Sequence, residues 1–221
     1  MIVIGKLIGA VVIAYLLGAI PFGLIIGKKL GKIDITKYGS GNIGATNVLR
    51  TLGVKPAALV ALLDLAKAAT AVLIARLIMG ADVFTVYGFA IGWQLAQIMA
   101  ALAAMMGHNW SVFLKFHGGK GVATFFGGLF VINFVIGLIA GGALVIIALV
   151  TRYMSLGSII GASITIVLLI VFKILYMWSA IYVIYGLVAG GLIIFQHRQN
   201  INRLRTGTEL RLGDKGQRLE L

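Results

Sequence analysis

The stretch GVATFFGGLFVINFVIGLIAGGALVIIALV, residues 121–150, decides how this chain is folded. It carries no charge and lies between Lys120 and Arg152. A helix crosses the hydrocarbon layer in about 20 apolar residues, so the stretch is long for one crossing and short for two. Read as one helix, it would put Lys120 and Arg152 on opposite faces of a membrane. The bias of basic residues toward the cytoplasm asks for both on the same face. Gly127, Gly128, Asn133, Gly137, Gly141 and Gly142 interrupt the stretch, and a turn near Asn133 divides it into two short helices.

That a membrane is involved follows from composition. Of 221 residues, 61% are hydrophobic and 11% charged, with a mean hydropathy of +1.07. Soluble domains carry roughly 25% charged residues. So few polar side chains exclude a soluble globular domain, a disordered tail and a coiled coil. Thirty glycines against two prolines suit closely packed membrane helices. The absence of cysteine excludes disulfides, thiolate metal sites and cysteine nucleophiles. Further apolar runs lie at 2–27, 56–80, 83–106, 156–174 and 177–195. The first lacks a small-x-small cleavage site and leads into a basic loop, so it reads as a membrane helix and not as a signal peptide.

Fifteen of the nineteen basic residues fall in four places: 28–55, 107–121, Arg152 and the tail from 196. Placing all four inside predicts an all-α integral membrane protein, one domain over 1–221. It has seven transmembrane helices, an external amino terminus and a cytoplasmic carboxyl terminus. The last two helices turn at Lys173, and the short basic tail 196–221 lies along the cytoplasmic surface. The net charge of +13 then faces anionic lipid and not nucleic acid.

Polar residues among apolar ones mark function in such a chain. Four segments qualify, all threaded to one face: YGSGNIGATNVLR (38–50), GHNWSVFLKFHGGKGVAT (107–124), RYMSLGS (152–158) and HRQNINRLRTGTE (197–209). Gly39, Gly41 and Gly44 have dinucleotide-fold spacing, but the strand and βαβ unit that the fingerprint needs are missing. Glycines there would instead turn backbone N–H groups inward around an anion, and Ser40, Asn42, Thr46, Asn47 and Arg50 add side-chain donors. HGGKG at 117–121 enters a helix and sets Lys120 between Gly119 and Gly121, a phosphate cradle without full P-loop spacing. His197 and Asn200 sit three apart on one helix face and can hold one polar ligand. No Asp or Glu lies between 83 and 208, so a metal site is not expected. Asp64 and Lys67, inside a membrane helix, read as a structural ion pair. A cationic, hydrogen-bonding surface without a strong base suits a reaction on phosphorylated substrates, catalysed by positioning and charge neutralisation.

GSGNIGATNVLR, KFHGGKGVAT, RYMSLGS and HRQNINRLRTGTE, in this order and together with ALLDLAKAA at 61–69, resemble the bacterial acyl-phosphate:glycerol-3-phosphate acyltransferases, the PlsY family. The resemblance covers nearly the whole chain. It implies transfer of a fatty acyl group from acyl phosphate to the 1-hydroxyl of glycerol 3-phosphate. Lysophosphatidic acid and phosphate would be the products, formed at the cytoplasmic membrane in the first step of phospholipid synthesis. It implies no metal, cofactor or acyl-carrier protein, membrane lipid as surroundings, and a monomer. The family's serine and arginine of the first motif fall on Ser40 and Arg50, its lysine on Lys120 between Gly119 and Gly121, and its histidine and asparagine on His197 and Asn200. Its third-motif serine falls on Ser155 or Ser158. His117 departs from the family's usual basic residue, and Arg205 from an apolar one. A small-anion transporter is the alternative; its site should lie near the midplane between repeats, whereas these motifs share one face. The proton acceptor stays open between His197 and a substrate phosphate oxygen.

Overall fold

The computed structural model describes residues 2–86 and 89–219, so Met1 and Leu221 at the ends of the expected domain lie outside the described residues. The first apolar run forms two helices, α1 (Ile2–Ala19) and α2 (Phe22–Leu30). Pro21, which lacks an N–H, sits at the break between them. A short helix α3 (Ala45–Leu52) follows on the polar face, and α4 (Val54–Met79) then runs the length of the bundle.

The third run departs from the expected helix. Residues Phe84–Val86 (β1) pair antiparallel with Phe89–Ile91 (β2), with Phe84 opposite Ile91, and α5 begins only at Trp93 and ends at Asn109. Aromatic and β-branched residues crowd 83–86, and such side chains favour a pleated strand over a helix. Helix α5 touches α1 backbone to backbone. A Cβ on Gly18 would lie 2.0 Å from the Ala104 carbonyl oxygen, and one on Gly107 would lie 2.2 Å from that of Tyr15.

The charge-free stretch divides at Asn133 into α6 (Val122–Ile132) and α7 (Phe134–Thr151). Asn133 is extended, and its Oδ1 accepts the Ile136 N–H at 2.9 Å, capping α7. Arg152, left-handed at φ 64°, turns the chain into α8 (Met154–Tyr176). Lys173 does not make the next turn as expected. It lies in the last turn of α8, where a cation complements the helix dipole, and the chain turns through 177–180 into α9 (Ile181–Gln196). A 56° bend at His197 then leads to α10 (Arg198–Arg205).

Among the described residues, α4, α7, α8 and the α1–α2 stretch are long and apolar enough to cross a membrane, and α9 with α10 makes a fifth candidate. The core packs Phe125 against Tyr185, ring centroids 5.6 Å apart, where α6 meets α9. The tail does more than lie along a surface. Its backbone bonds to three earlier segments: Gly39 N–H to Gln217 O (2.8 Å), Gly216 N–H to Arg50 O (2.9 Å) and Leu212 N–H to Arg152 O (2.6 Å). It is a strap over the polar end of the bundle.

Candidate active site

Beneath the strap lies a cavity of about 730 Å³. Its polar end is lined by Ser40, Asn42, Arg50, Lys120, Gly121, Ser155, Ser158, His197 and Asn200, all expected from sequence. Its apolar part runs between α4, α6 and α7, along Ala61 and Leu65, Phe126 and Phe130, and Leu144. An amphiphile with an anionic head fits this division.

The first motif owes its shape to Asn47, which is 1% exposed. Its Oδ1 accepts the Ser40 N–H (2.9 Å), and its Nδ2 donates to the carbonyls of Ile35 (3.1 Å), Tyr38 (2.9 Å) and Asn42 (2.8 Å). Gly39 has φ +57°, and a Cβ there would lie 2.3 Å from Asn47 Oδ1, so only glycine fits. The expected ring of inward N–H groups is not formed. Gly39 N–H donates to Gln217 O, Ser40 N–H to Asn47 and Gly41 N–H to Tyr38 O. The loop presents side chains instead, with the first turn of α3, which no side chain caps. Arg50 Nη2 donates to Leu210 O at 3.0 Å, while its buried Nε has no partner among the described residues. Arg50 thus lines the cavity with one guanidinium N–H left without an acceptor among the described residues.

The second motif also needs one correction. Gly119 does not line the cavity, and its N–H donates to His108 O at 3.0 Å. Its role is close approach, since a Cβ would lie 2.1 Å from His108 Nε2. Gly121, at φ +80°, starts α6, whose first turn also has no side-chain cap. The helix dipole and open N–H groups therefore meet the Lys120 ammonium at one point. Burial brings the Lys120 pKa down to about 8, opposed by the negative charge of Glu209. His117 is exposed, its Nδ1 on Lys115 O at 2.9 Å, away from the cavity.

His197 is the hinge residue between α9 and α10, and Asn200 lies in the first turn of α10; both reach the cavity. His197 Nδ1–H donates to Ile193 O at 2.8 Å, which leaves Nε2 as an acceptor. Burial and the nearby Lys120 charge pull its pKa down to about 4, so the ring is neutral at physiological pH. Asn200 links two charges. Lys120 Nζ donates to its Oδ1, and its Nδ2 donates to Glu209 Oε1 at 2.6 Å.

Glu209 is the site residue that sequence reasoning did not single out. It is buried, and Ser155 Oγ donates to Oε1 at 2.8 Å while Arg203 Nε donates to Oε2 at 2.7 Å. Burial raises its pKa, but the hydrogen bonds from Asn200, Arg203 and Ser155 outweigh that and hold it below the usual carboxylate range. These contacts also separate the two serines: Ser155 joins the Glu209 network, whereas Ser158 Oγ donates to Met154 O at 2.8 Å. Its sequence signal was its place as the last residue of the HRQNINRLRTGTE motif. Asp64 and His108 reach the cavity as well. Asp64 Oδ1 lies 2.7 Å from Lys67 Nζ, which also donates to Ile20 O at 2.8 Å, so the pair ties α4 to the end of α1.

Residues 8–207 match the family model described as glycerol-3-phosphate acyltransferase. A relative so named from Dehalococcoides mccartyi, glycerol-3-phosphate acyltransferase 3, is 44% identical over 97% of this chain and 99% of its own. The glycerol-3-phosphate acyltransferase of Thermoanaerobacter pseudethanolicus is 46% identical over 92% and 94%. Among solved structures, PlsY (YgiH), an integral membrane glycerol 3-phosphate acyltransferase in its glycerol 3-phosphate form, aligns at a TM-score of 0.79. It shares 38% identity, with 94% of this chain and 96% of that one covered. Its lysophosphatidic acid form aligns at 0.78.

Proposed function

The chain belongs to the glycerol-3-phosphate acyltransferase family, and we propose that the donor in its acylation of glycerol 3-phosphate is an acyl phosphate. One observation carries this: the apolar cavity ends at the uncapped N-termini of α6 and α3, with Lys120 just before the first and Arg50 in the last turn of the second. Two anion sites suit two phosphate-bearing substrates. The acyl tail takes the apolar part and its phosphate lies at Lys120, Gly121 and the start of α6. Arg50, Ser40 and Asn42 hold the phosphate of glycerol 3-phosphate. His197 and Asn200 direct the 1-hydroxyl at the acyl carbon.

The hydroxyl oxygen bonds to the carbonyl carbon, the bond from that carbon to the phosphate oxygen breaks, and lysophosphatidic acid and phosphate leave. A base is still needed for the hydroxyl proton. Neutral His197, with a pKa of about 4, is a weak one. A phosphate oxygen of the donor takes the proton, and His197 holds the glycerol moiety in position through Nε2. The wild-type pH profile is then expected to lack an acidic limb that depends on His197. His197→Gln, which keeps a donor and an acceptor, should retain appreciable activity with an unchanged profile. A wild-type limb near pH 4 that His197→Gln abolishes would make the histidine the base.

The purified chain alone, as a monomer without cofactor, metal or acyl-carrier protein, should release phosphate only when acyl phosphate and glycerol 3-phosphate are both present. Release with either one absent, or none with both, overturns the proposed donor. We further place the chain in the bacterial cytoplasmic membrane with seven crossings, the amino terminus outside and the cavity's polar end in the cytoplasm. The basic segments 28–55, 107–121, Arg152 and the tail supply the support. A reporter fused after Leu221 should behave as cytoplasmic and one at Met1 as external; a periplasmic carboxyl terminus contradicts the count.

A further inference from the structure

We infer that Phe130 and Gly141 form the far wall of the apolar cavity and set how long an acyl chain the enzyme accepts, an inference that rests on the acyl phosphate reading above. Three helices locate that wall independently. At about 1.5 Å rise per residue, Phe130 stands about 12 Å up α6 from Val122 at its polar end. Gly141 stands about 15 Å from Thr151 at the polar end of α7, and Leu65 about 17 Å from Val54 at the polar end of α4. All three line the cavity.

The wall is one ring seated on glycine. A Cβ added to Gly137 would lie 2.7 Å from Phe130 Cδ1, so the ring rests directly on the α7 backbone there. One added to Gly141 would lie 3.6 Å from Phe126 Cδ1 and 3.9 Å from Phe130 Cζ, ordinary contact distances that leave a gap between the two rings and α7. Phe130 also leans on Phe134, ring centroids 5.7 Å apart, which limits its retreat.

A tetrahedral carbon chain with bonds of 1.52 Å advances about 1.25 Å per carbon, so about twelve carbons reach the wall. Lipid tails are as apolar as this cavity, so moving a chain from bilayer to cavity gains little, and discrimination must come from fit. Chains ending before Phe130 are accommodated. Longer ones must use the gap beside Gly141. Apolar pockets distinguish single methylenes by roughly 10-fold or more, which sets the size of the effect.

The test compares kcat/KM for acyl phosphates of ten, twelve, fourteen, sixteen and eighteen carbons in the wild type, Phe130→Ala and Gly141→Leu. Gly141→Leu fills the gap and improves helix propensity. It should cut activity on sixteen and eighteen carbons at least about 10-fold while sparing ten. Phe130→Ala should shift the profile the other way, and the KM for glycerol 3-phosphate should stay constant in both. A uniform loss across chain lengths, or profiles that match the wild type, overturns the wall. A wild type inactive on every acyl phosphate but active with another acyl donor overturns the donor reading as well.

Discussion

Replacing Lys120 by alanine is expected to lower kcat/KM by about 10² to 10³-fold, the scale for losing one preorganised charge contact in the transition state. Lys120 stands where the open first turn of α6 meets the cavity, and Asn200 accepts its hydrogen bond there. Charge leaves the acyl carbon on the departing phosphate, and this ammonium is placed to meet it. Lys115 belongs to the same loop but is exposed and lines nothing, so Lys115→Ala should change little. Equal losses in the two variants would reduce the loop to a basic contact with lipid. The pH dependence gives a second check. With a pKa near 8, Lys120 is mostly charged at pH 7 and loses its proton as pH rises through 8. Binding of an anion favours the charged form, so activity should fall on the alkaline side. Lys120→Arg, which stays protonated there, should be slower but lack that limb.

The membrane architecture was legible because charge and hydropathy act residue by residue. The division at Asn133 could be read from the demand that Lys120 and Arg152 share a face, and an asparagine cap provides it. Less legible was whatever depends on partners far along the chain. The N–H of Gly39 looked available for an anion, because nothing local shows that Gln217 supplies its acceptor. Gly119 looked like a phosphate ligand for the same reason, while its real constraint is the His108 ring. The strand pair 84–86 and 89–91 was hidden by hydropathy, which an apolar strand and an apolar helix share.

Glu209 was hidden most completely, and its replacement carries the second large expected effect. Its carboxylate takes hydrogen bonds from Asn200, Ser155 and Arg203, which sit on α10, α8 and α10. Through the Asn200 amide it fixes which atom faces Lys120: Nδ2 is committed to Glu209, so Oδ1 is left for the ammonium. Glu209→Ala removes the reason for that orientation and leaves the Arg203 guanidinium without its partner. A displacement of about 1 Å at a reacting group can cost about 10²-fold, and a loss of that order in kcat is expected. Glu209→Gln separates geometry from charge. It keeps an oxygen for Asn200 and Ser155, so more activity should survive than in the alanine variant. It also removes the negative charge that holds the Lys120 pKa up. Lys120 should then lose its proton at lower pH, and the alkaline limb should move to the acid side of its wild-type position. A limb that stays in place would confine Glu209 to packing the strap against α8 and α10, with no electrostatic part in how Lys120 works.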